Sequence, residues 1–141
     1  MHNVIVDTSY LLPLFGIDVK TKIKLEEILE EYGKVYYNPI SLIEAKWVMY
    51  RIVKRGLISL KEARSDYREG LEALLRDRRF IQTQLTSPEV EDIADELEDM
   101  GLKDYFDRLI AATAIVNDFK FLTEDRELIR LLKDSNFKHV I

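Results

Sequence analysis

A helix-forming stretch separates each short, branched apolar segment of this 141-residue chain from the next. Strands joined by helical crossovers run parallel, and a parallel sheet of this kind carries helices on both faces. The segments with strand character fall at 2–6, 35–37, 80–83, 119–122 and 137–141. Between the first two, Leu25, Ile28, Leu29 and Tyr32 recur at i, i+3, i+4 and i+7 and predict an amphipathic helix over 20–32, stopped by Gly33. Asn38-Pro39 turns the chain into a long helix over 41–55, closed by Gly56, and Ser59 with Glu62 forms a capping box for a helix running to about residue 76. Ser87-Pro88 supplies an N-cap and a first-turn proline for a helix ending near Gly101. Residues 105–117 are apolar nearly all round, with Ala111, Ala112 and Ala114 permitting close approach to a sheet, so that helix is buried. A short helix over 10–15 is disturbed by Pro13, and another spans 125–133. No linker, repeat or low-complexity segment interrupts the pattern, and 1–141 reads as a single α/β domain.

The sequence contains no cysteine. Disulfides and thiolate metal sites are excluded, and a reducing, cytoplasmic setting is expected. The opening residues are largely apolar, but Asp7 interrupts them and no Lys or Arg precedes them, unlike a secretory signal. No apolar run nears the ~18 residues that a membrane span needs, so no membrane association is expected. With 21 Lys and Arg against 26 Asp and Glu, the net charge of −5 argues against a general nucleic-acid-coating protein. The charges are segregated, however. Residues 46–79 carry ten basic and five acidic side chains, whereas 89–107 carry nine acidic and one basic, Lys103. Such runs are either two solvated helical faces or a phosphate-contacting rim beside a cation-binding pit.

Four acids stand where a strand ends or a helix begins: Asp7 in VIVDTS, Glu44 in SLIEAKW, Asp107 in YFDRLIAATA and Asp125 in FLTEDREL. In an open parallel sheet, ligands bind outside the carboxyl ends of the strands, near the point where strand order reverses. All four carboxylates can converge there. Each also has a plainer account: Asp7 and Asp125 as helix caps, Glu44 in a capping box with Ser41, Asp107 as an anion favoured by the helix dipole. Four ionised carboxylates within a few ångströms repel one another, and a divalent cation removes that cost. An all-oxygen set selects a hard ion, Mg²⁺ or Mn²⁺, while His2 and His139 lie near the termini without ligand spacing. Metal-assisted phosphodiester cleavage is the chemistry such a site supports.

In order and spacing, VIVDTS, PISLIEAKW, DYFDRLIAATA and FLTEDREL resemble the motifs of the PIN-domain ribonucleases, most closely the stand-alone toxins of VapC type. The likeness spans the chain; its more specific parts are DYFDRLIAATA and LTED, and the Glu44 motif is loose. The resemblance implies a three-layer α/β/α fold with a central parallel sheet of four or five strands, a Mg²⁺ or Mn²⁺ cofactor, an RNA substrate, a homodimer and an antitoxin partner. It assigns Asp7, Glu44, Asp107 and Asp125 to the acidic metal site. Ser9 matches a polar position beside that site, Thr8 and Thr123 match neighbouring motif positions, and Asp104 matches an acidic position ranked below Asp107.

The expected activity is a metal-dependent endoribonuclease in which Asp7, Asp107 and Asp125 hold the ion, Glu44 binds it or orients water, and Ser9 supports the carboxylates by hydrogen bonding. Lys46, Arg51, Lys54, Arg55 and Arg108 are candidates to meet RNA phosphates, with ion pairing as the alternative for Lys46 and Arg108. Trp47 and Tyr50, at helical spacing with Ile40 and Ile43, read as core or interface residues; Tyr36, Tyr37 and Tyr67 are the other aromatics considered for base stacking. Alternatives are a catalytically inactive interaction subunit and a solitary RNA-processing nuclease without an antitoxin. A phosphoacceptor domain is disfavoured, because DTSYLLP holds no second acid beside Asp7.

Overall fold

The computed structural model describes residues 3–134 and 137. Among these residues four strands, β1 (Val4–Val6), β2 (Val35–Tyr37), β3 (Phe80–Gln82) and β4 (Lys120–Leu122), form one wholly parallel sheet in the order β3-β2-β1-β4. All of the expected strand at 137–141 except Phe137 lies outside the described residues, as do His2 and His139. Chain order runs outward from β1 to β3, then returns to place β4 on the other side of β1. The reversal therefore falls between β1 and β4, whose partners are Val4 with Lys120, Ile5 with Phe121 and Val6 with Leu122.

Among the described residues six helices cover the sheet: α1 (Leu25–Tyr32), α2 (Ile40–Lys54), α3 (Leu60–Arg76), α4 (Pro88–Asp99), α5 (Tyr105–Val116) and α6 (Arg126–Asp134). Alternation along the strands sends Val4, Val6, Val35, Tyr37 and Leu122 to one face, where α1, α2 and α3 pack. Ile5, Tyr36 and Phe121 face the opposite way, against α4, α5 and α6. The result is the three-layer α/β/α arrangement. Ala111, Ala112 and Ala114 are fully buried, as their size allows where α5 lies against the sheet. Gly70 does the same for α3: a Cβ there would stand 2.6 Å from the Leu14 carbonyl oxygen and 2.5 Å from the Phe15 ring.

Two local expectations are corrected. The helix expected over 20–32 begins only at Leu25. The amide of Lys22 is drawn instead to Glu124 Oε1 at 2.9 Å, and the Thr21 hydroxyl bonds the Ile23 carbonyl at 2.7 Å. The helix expected over 10–15 is two 3₁₀ turns, Thr8–Tyr10 and Leu12–Phe15, the second with Pro13 at its start. The Ser59 cap is present, with the Glu62 amide donating to Ser59 Oγ at 3.0 Å; the Ser59 hydroxyl in turn donates to the Glu62 carboxylate at 3.2 Å.

Candidate functional site

The switch point between β1 and β4 delivers Asp7 and the 123–125 turn to the same edge. Beyond β1 the Asp7 amide continues the pairing, donating to the Leu122 carbonyl at 3.0 Å, which fixes Asp7 at the end of the sheet. Its carboxylate caps the first 3₁₀ turn by accepting from the Ser9 amide at 3.0 Å, and its other oxygen accepts from the buried Thr123 hydroxyl. Thr123 Oγ1 also accepts from the Asp125 amide at 3.1 Å. One hydroxyl thus sets the relative positions of two acids that lie 118 residues apart in the chain. Asp125 spends Oδ1 on the Glu127 and Leu128 amides at the start of α6, leaving its exposed carboxyl at the rim.

Glu44 lies one turn into α2 on the face turned toward the first 3₁₀ segment. It makes no capping box: its Oε1 accepts from the Thr8 hydroxyl at 2.6 Å, and Thr8 Oγ1 shares a hydrogen bond with the buried Ser41 hydroxyl at 2.8 Å. Asp107 is the third residue of α5. Asp104 is the N-cap of that helix, accepting from the Asp107 amide at 3.1 Å. A cleft of about 270 Å³ is lined by Asp7, Glu44, Asp107 and Asp125 together with Thr8, Ser9 and Ile110. The four expected acids are brought together; Asp104 lines two hollows that adjoin the cleft.

The electrostatics follow from the proximity. Burial, and then the charges of Asp104, Glu44, Asp125 and Asp7, push the Asp107 carboxyl up to about 7 from 3.8. Glu44 is raised by burial, with the Thr8 hydrogen bond and the Arg51 charge pulling it down and Asp104 and Asp7 pushing it up. Asp7 is likewise raised by burial, against hydrogen bonds from Thr123, Ser9 and Glu124. Asp107 and Glu44 each feel other acids of the cleft, as neighbouring carboxylates do, whereas the charge acting on Asp7 is that of Glu124.

Several flanking expectations change. Ser9 supports Asp7 through its amide, not through its hydroxyl. Arg108 is not a surface cation: only 7% of it is exposed, and its Nη1 donates to the Leu102 and Lys103 carbonyls at 3.1 and 2.6 Å, with Glu98 at 3.5 Å from Nη2. A charged side chain that deep needs acceptors, and the 101–104 turn supplies them. Lys46 has no acidic partner among the described residues; its ammonium lies over the Tyr67 ring, 4.7 Å from the centroid. Arg51, Lys54 and Arg55 are exposed along and beyond α2. Tyr37 is buried and Tyr36 packs on Phe119 with centroids 4.4 Å apart, so neither presents a free ring. The acids of α4 are mostly exposed on the layer opposite α3, so that run is a solvated face; Asp104 and Asp107 alone carry negative charge from it to the site.

Two contributors were not anticipated. Glu124 ties down the 18–24 segment by accepting from the Tyr10 hydroxyl and the Lys22 amide. Phe106, whose place immediately before Asp107 was its only signal, meets Trp47 across the site with ring centroids 5.5 Å apart.

No curated protein matches this chain. Among solved structures, PAE2754 from Pyrobaculum aerophilum is similar with a TM-score of 0.64 at 18% identity, over 92% of this chain and 79% of the other. A toxin-antitoxin complex from Klebsiella pneumoniae aligns at TM-score 0.61 and 18% identity over 99% and 96% of the two chains. FitAcB from Neisseria gonorrhoeae aligns at 0.56 and 16% over 92% and 93%. At such identities the likeness establishes the fold. The family model for the PIN domain matches residues 4–133, from the first strand into the last helix and across all four acids, and this chain belongs to the PIN domain family.

Proposed function

We propose that the protein is an endoribonuclease that uses Mg²⁺ or Mn²⁺ held by Asp7, Asp107 and Asp125, with Glu44 completing the set. The observation that carries this reading is that Asp7, Glu44, Asp107 and Asp125 line one cleft, where burial and then the charges of neighbouring acids push the Asp107 carboxyl up to about 7. PIN domains are generally nucleases, and the family match supports that class of activity. With the side chains as they stand, no three acids among the described residues are grouped to hold an ion. The donor set nonetheless fits one: all ligating atoms are carboxylate oxygens, as hard divalent ions require. Among the described residues no group donates a hydrogen bond to the Asp107 carboxylate, so it is free to turn inward. When bound, such an ion supplies polarisation of the phosphodiester, a more acidic water and charge neutralisation at the leaving oxygen.

The residues do the rest. Thr123 and the Ser9 amide hold both Asp7 oxygens in a fixed orientation, so the acid needs little reorganisation. Thr8 aims Glu44 into the cleft, where its raised affinity for a proton suits it to orient or accept from the attacking water. Water attacks phosphorus in line, the bond from phosphorus to the 3′ oxygen breaks, and the products carry a 5′-phosphate and a 3′-hydroxyl. Arg51, Lys54 and Arg55 provide cations for flanking phosphates, with Lys46 behind them.

The Klebsiella neighbour's description as a toxin-antitoxin complex supports assigning the protein as a toxin restrained by an antitoxin protein. Homodimerisation is part of the same proposal, and a monomer by light scattering at high concentration removes it. Nuclease activity is tested with a pool of structured and single-stranded RNA in Mg²⁺, Mn²⁺ or EDTA, comparing wild type with Asp7→Asn and Asp107→Asn. Metal-dependent cutting with 5′-phosphate ends, lost in both variants, is expected. A folded wild type that cuts nothing in either metal refutes the nuclease.

A further inference from the structure

A second hollow, about 360 Å³, opens beside the carboxylate cleft and shares Thr8, Ser9 and Glu44 with it. We propose that this hollow, between Trp47 and Arg51 of α2 and Phe106 of α5, seats one unpaired base of the substrate strand, with the neighbouring phosphate on Arg51. The proposal rests on the nuclease reading and specifies the substrate as single-stranded.

Continuity is the first argument. Glu44 lines both spaces, so a nucleotide chain with one phosphate at the acids passes its next nucleotide over the hollow. The walls are the second. Trp47 is 54% exposed although it is the largest apolar side chain of the molecule, and its ring is fixed on one side by Phe106 at 5.5 Å and a 43° tilt. One aromatic face is held by packing and the remaining surface is open, which is what a stacking platform needs. Leu12 and Val48 add apolar lining beneath. Charge is the third argument. Arg51 lies one helical turn beyond Trp47, lines the same hollow and has no acidic partner within 4.0 Å among the described residues. A guanidinium that is felt by Glu44 but makes no ion pair within 4.0 Å among the described residues, beside a ring, matches a base with its phosphate. Size points to a single base: the volume is near the lower limit of small-molecule sites, about 300 Å³, and a duplex offers no exposed base face to stack.

Trp47 is the only tryptophan, so emission excited at the red edge of tryptophan absorption, where the seven tyrosines do not absorb, reads this position alone. Wild-type protein in Mg²⁺ is titrated with a short single-stranded RNA whose bridging 3′ oxygens are replaced by methylene groups, which keep the charge and resist cleavage. The same backbone without bases, and a duplex, serve as comparisons. Saturable quenching by the single strand and not by the abasic chain is expected. By anisotropy of a labelled strand, Trp47→Ala should weaken binding about five- to a hundred-fold and Trp47→Phe should recover most of it. Arg51→Gln should weaken the single strand and the abasic chain alike.

RNA binding that leaves Trp47 emission and the Trp47→Ala affinity unchanged overturns the base subsite while leaving the nuclease intact. Equal quenching by the abasic chain overturns it as well. Loss of a wild-type dimer in Trp47→Ala with RNA affinity unchanged makes the face a self-association surface instead. Absence of both RNA binding and cleavage in wild type removes the nuclease reading and the subsite with it.

Discussion

Replacing Asp107 by asparagine should stabilise the metal-free protein, the reverse of what removing a buried hydrogen-bonded acid usually does. The carboxyl is lifted from 3.8 to about 7, first by burial and then by Asp104, Glu44, Asp125 and Asp7. A group whose folded pKa is raised contributes most favourably below its unfolded value and loses that contribution as pH climbs through the folded one. For Asp107 the loss runs from about pH 4 to about pH 7. At about 1.4 kcal/mol per pH unit, a fully buried carboxyl would lose about 4 kcal/mol over that window. Asp107 keeps part of its surface in water, and screening reduces the figure to about 2 kcal/mol. Its first-turn position in α5 returns roughly 0.3–1 kcal/mol through the helix dipole, a gain the amide gives up. The net stabilisation of Asp107→Asn at about pH 8 is therefore about 1–2 kcal/mol, or a rise in melting midpoint of about 3–8 °C for a domain of this size. Circular-dichroism melts in EDTA check this, and the gap should shrink by more than half at about pH 5. With Mn²⁺ at about pH 8 the order should reverse, because an ion that binds the folded wild type raises its midpoint. A variant that melts lower than wild type in EDTA at about pH 8, or a gap independent of pH, refutes the reasoning.

Thr123→Val keeps the shape but leaves Asp7 and the Asp125 amide without their shared partner; a loss of about 1–3 kcal/mol is expected from the urea midpoint, together with weaker Mn²⁺ binding. Gly70→Ala gains about 1 kcal/mol of helix propensity but drives a methyl into Leu14 and Phe15, at about 1–3 kcal/mol or more. Net destabilisation should appear in the same assay, and an unchanged or higher midpoint would show that α3 can move away. Arg108→Lys keeps a charge but loses the planar fork that grips the 101–104 turn. Amides of that turn should exchange with solvent about ten- to a hundred-fold faster, and unaltered protection would mean that the turn holds itself.

Elements with local punctuation were legible in the sequence. The cap at Ser59, the Ser87-Pro88 start and the left-handed Gly33 placed α3, α4 and the end of α1, because each acts within a few residues of itself. The start of α1 was not legible, since the competitor for the Lys22 amide is Glu124, 102 residues away. The four acids were legible because parallel topology sends strand ends to one edge. How each is oriented was not: Thr8 reaches Glu44 across 36 residues and Thr123 reaches Asp7 across 116. Arg108 looked like a surface cation because its acceptors are main-chain carbonyls, which no residue type advertises. Trp47 and Tyr50 read as core or interface, and their 54% and 44% exposure removes the core reading; the hollow that Trp47 lines beside Glu44 had no signal in the sequence.

That the four acids act as one metal site is tested most directly by Mn²⁺ binding, followed by electron paramagnetic resonance of the free ion, in wild type, Asp7→Asn, Asp107→Asn and Asp125→Asn. The expected result is saturable binding in wild type that is weakened sharply by each substitution, and competed by Mg²⁺. Saturable binding that survives all three substitutions, or no binding by a folded wild type, contradicts it.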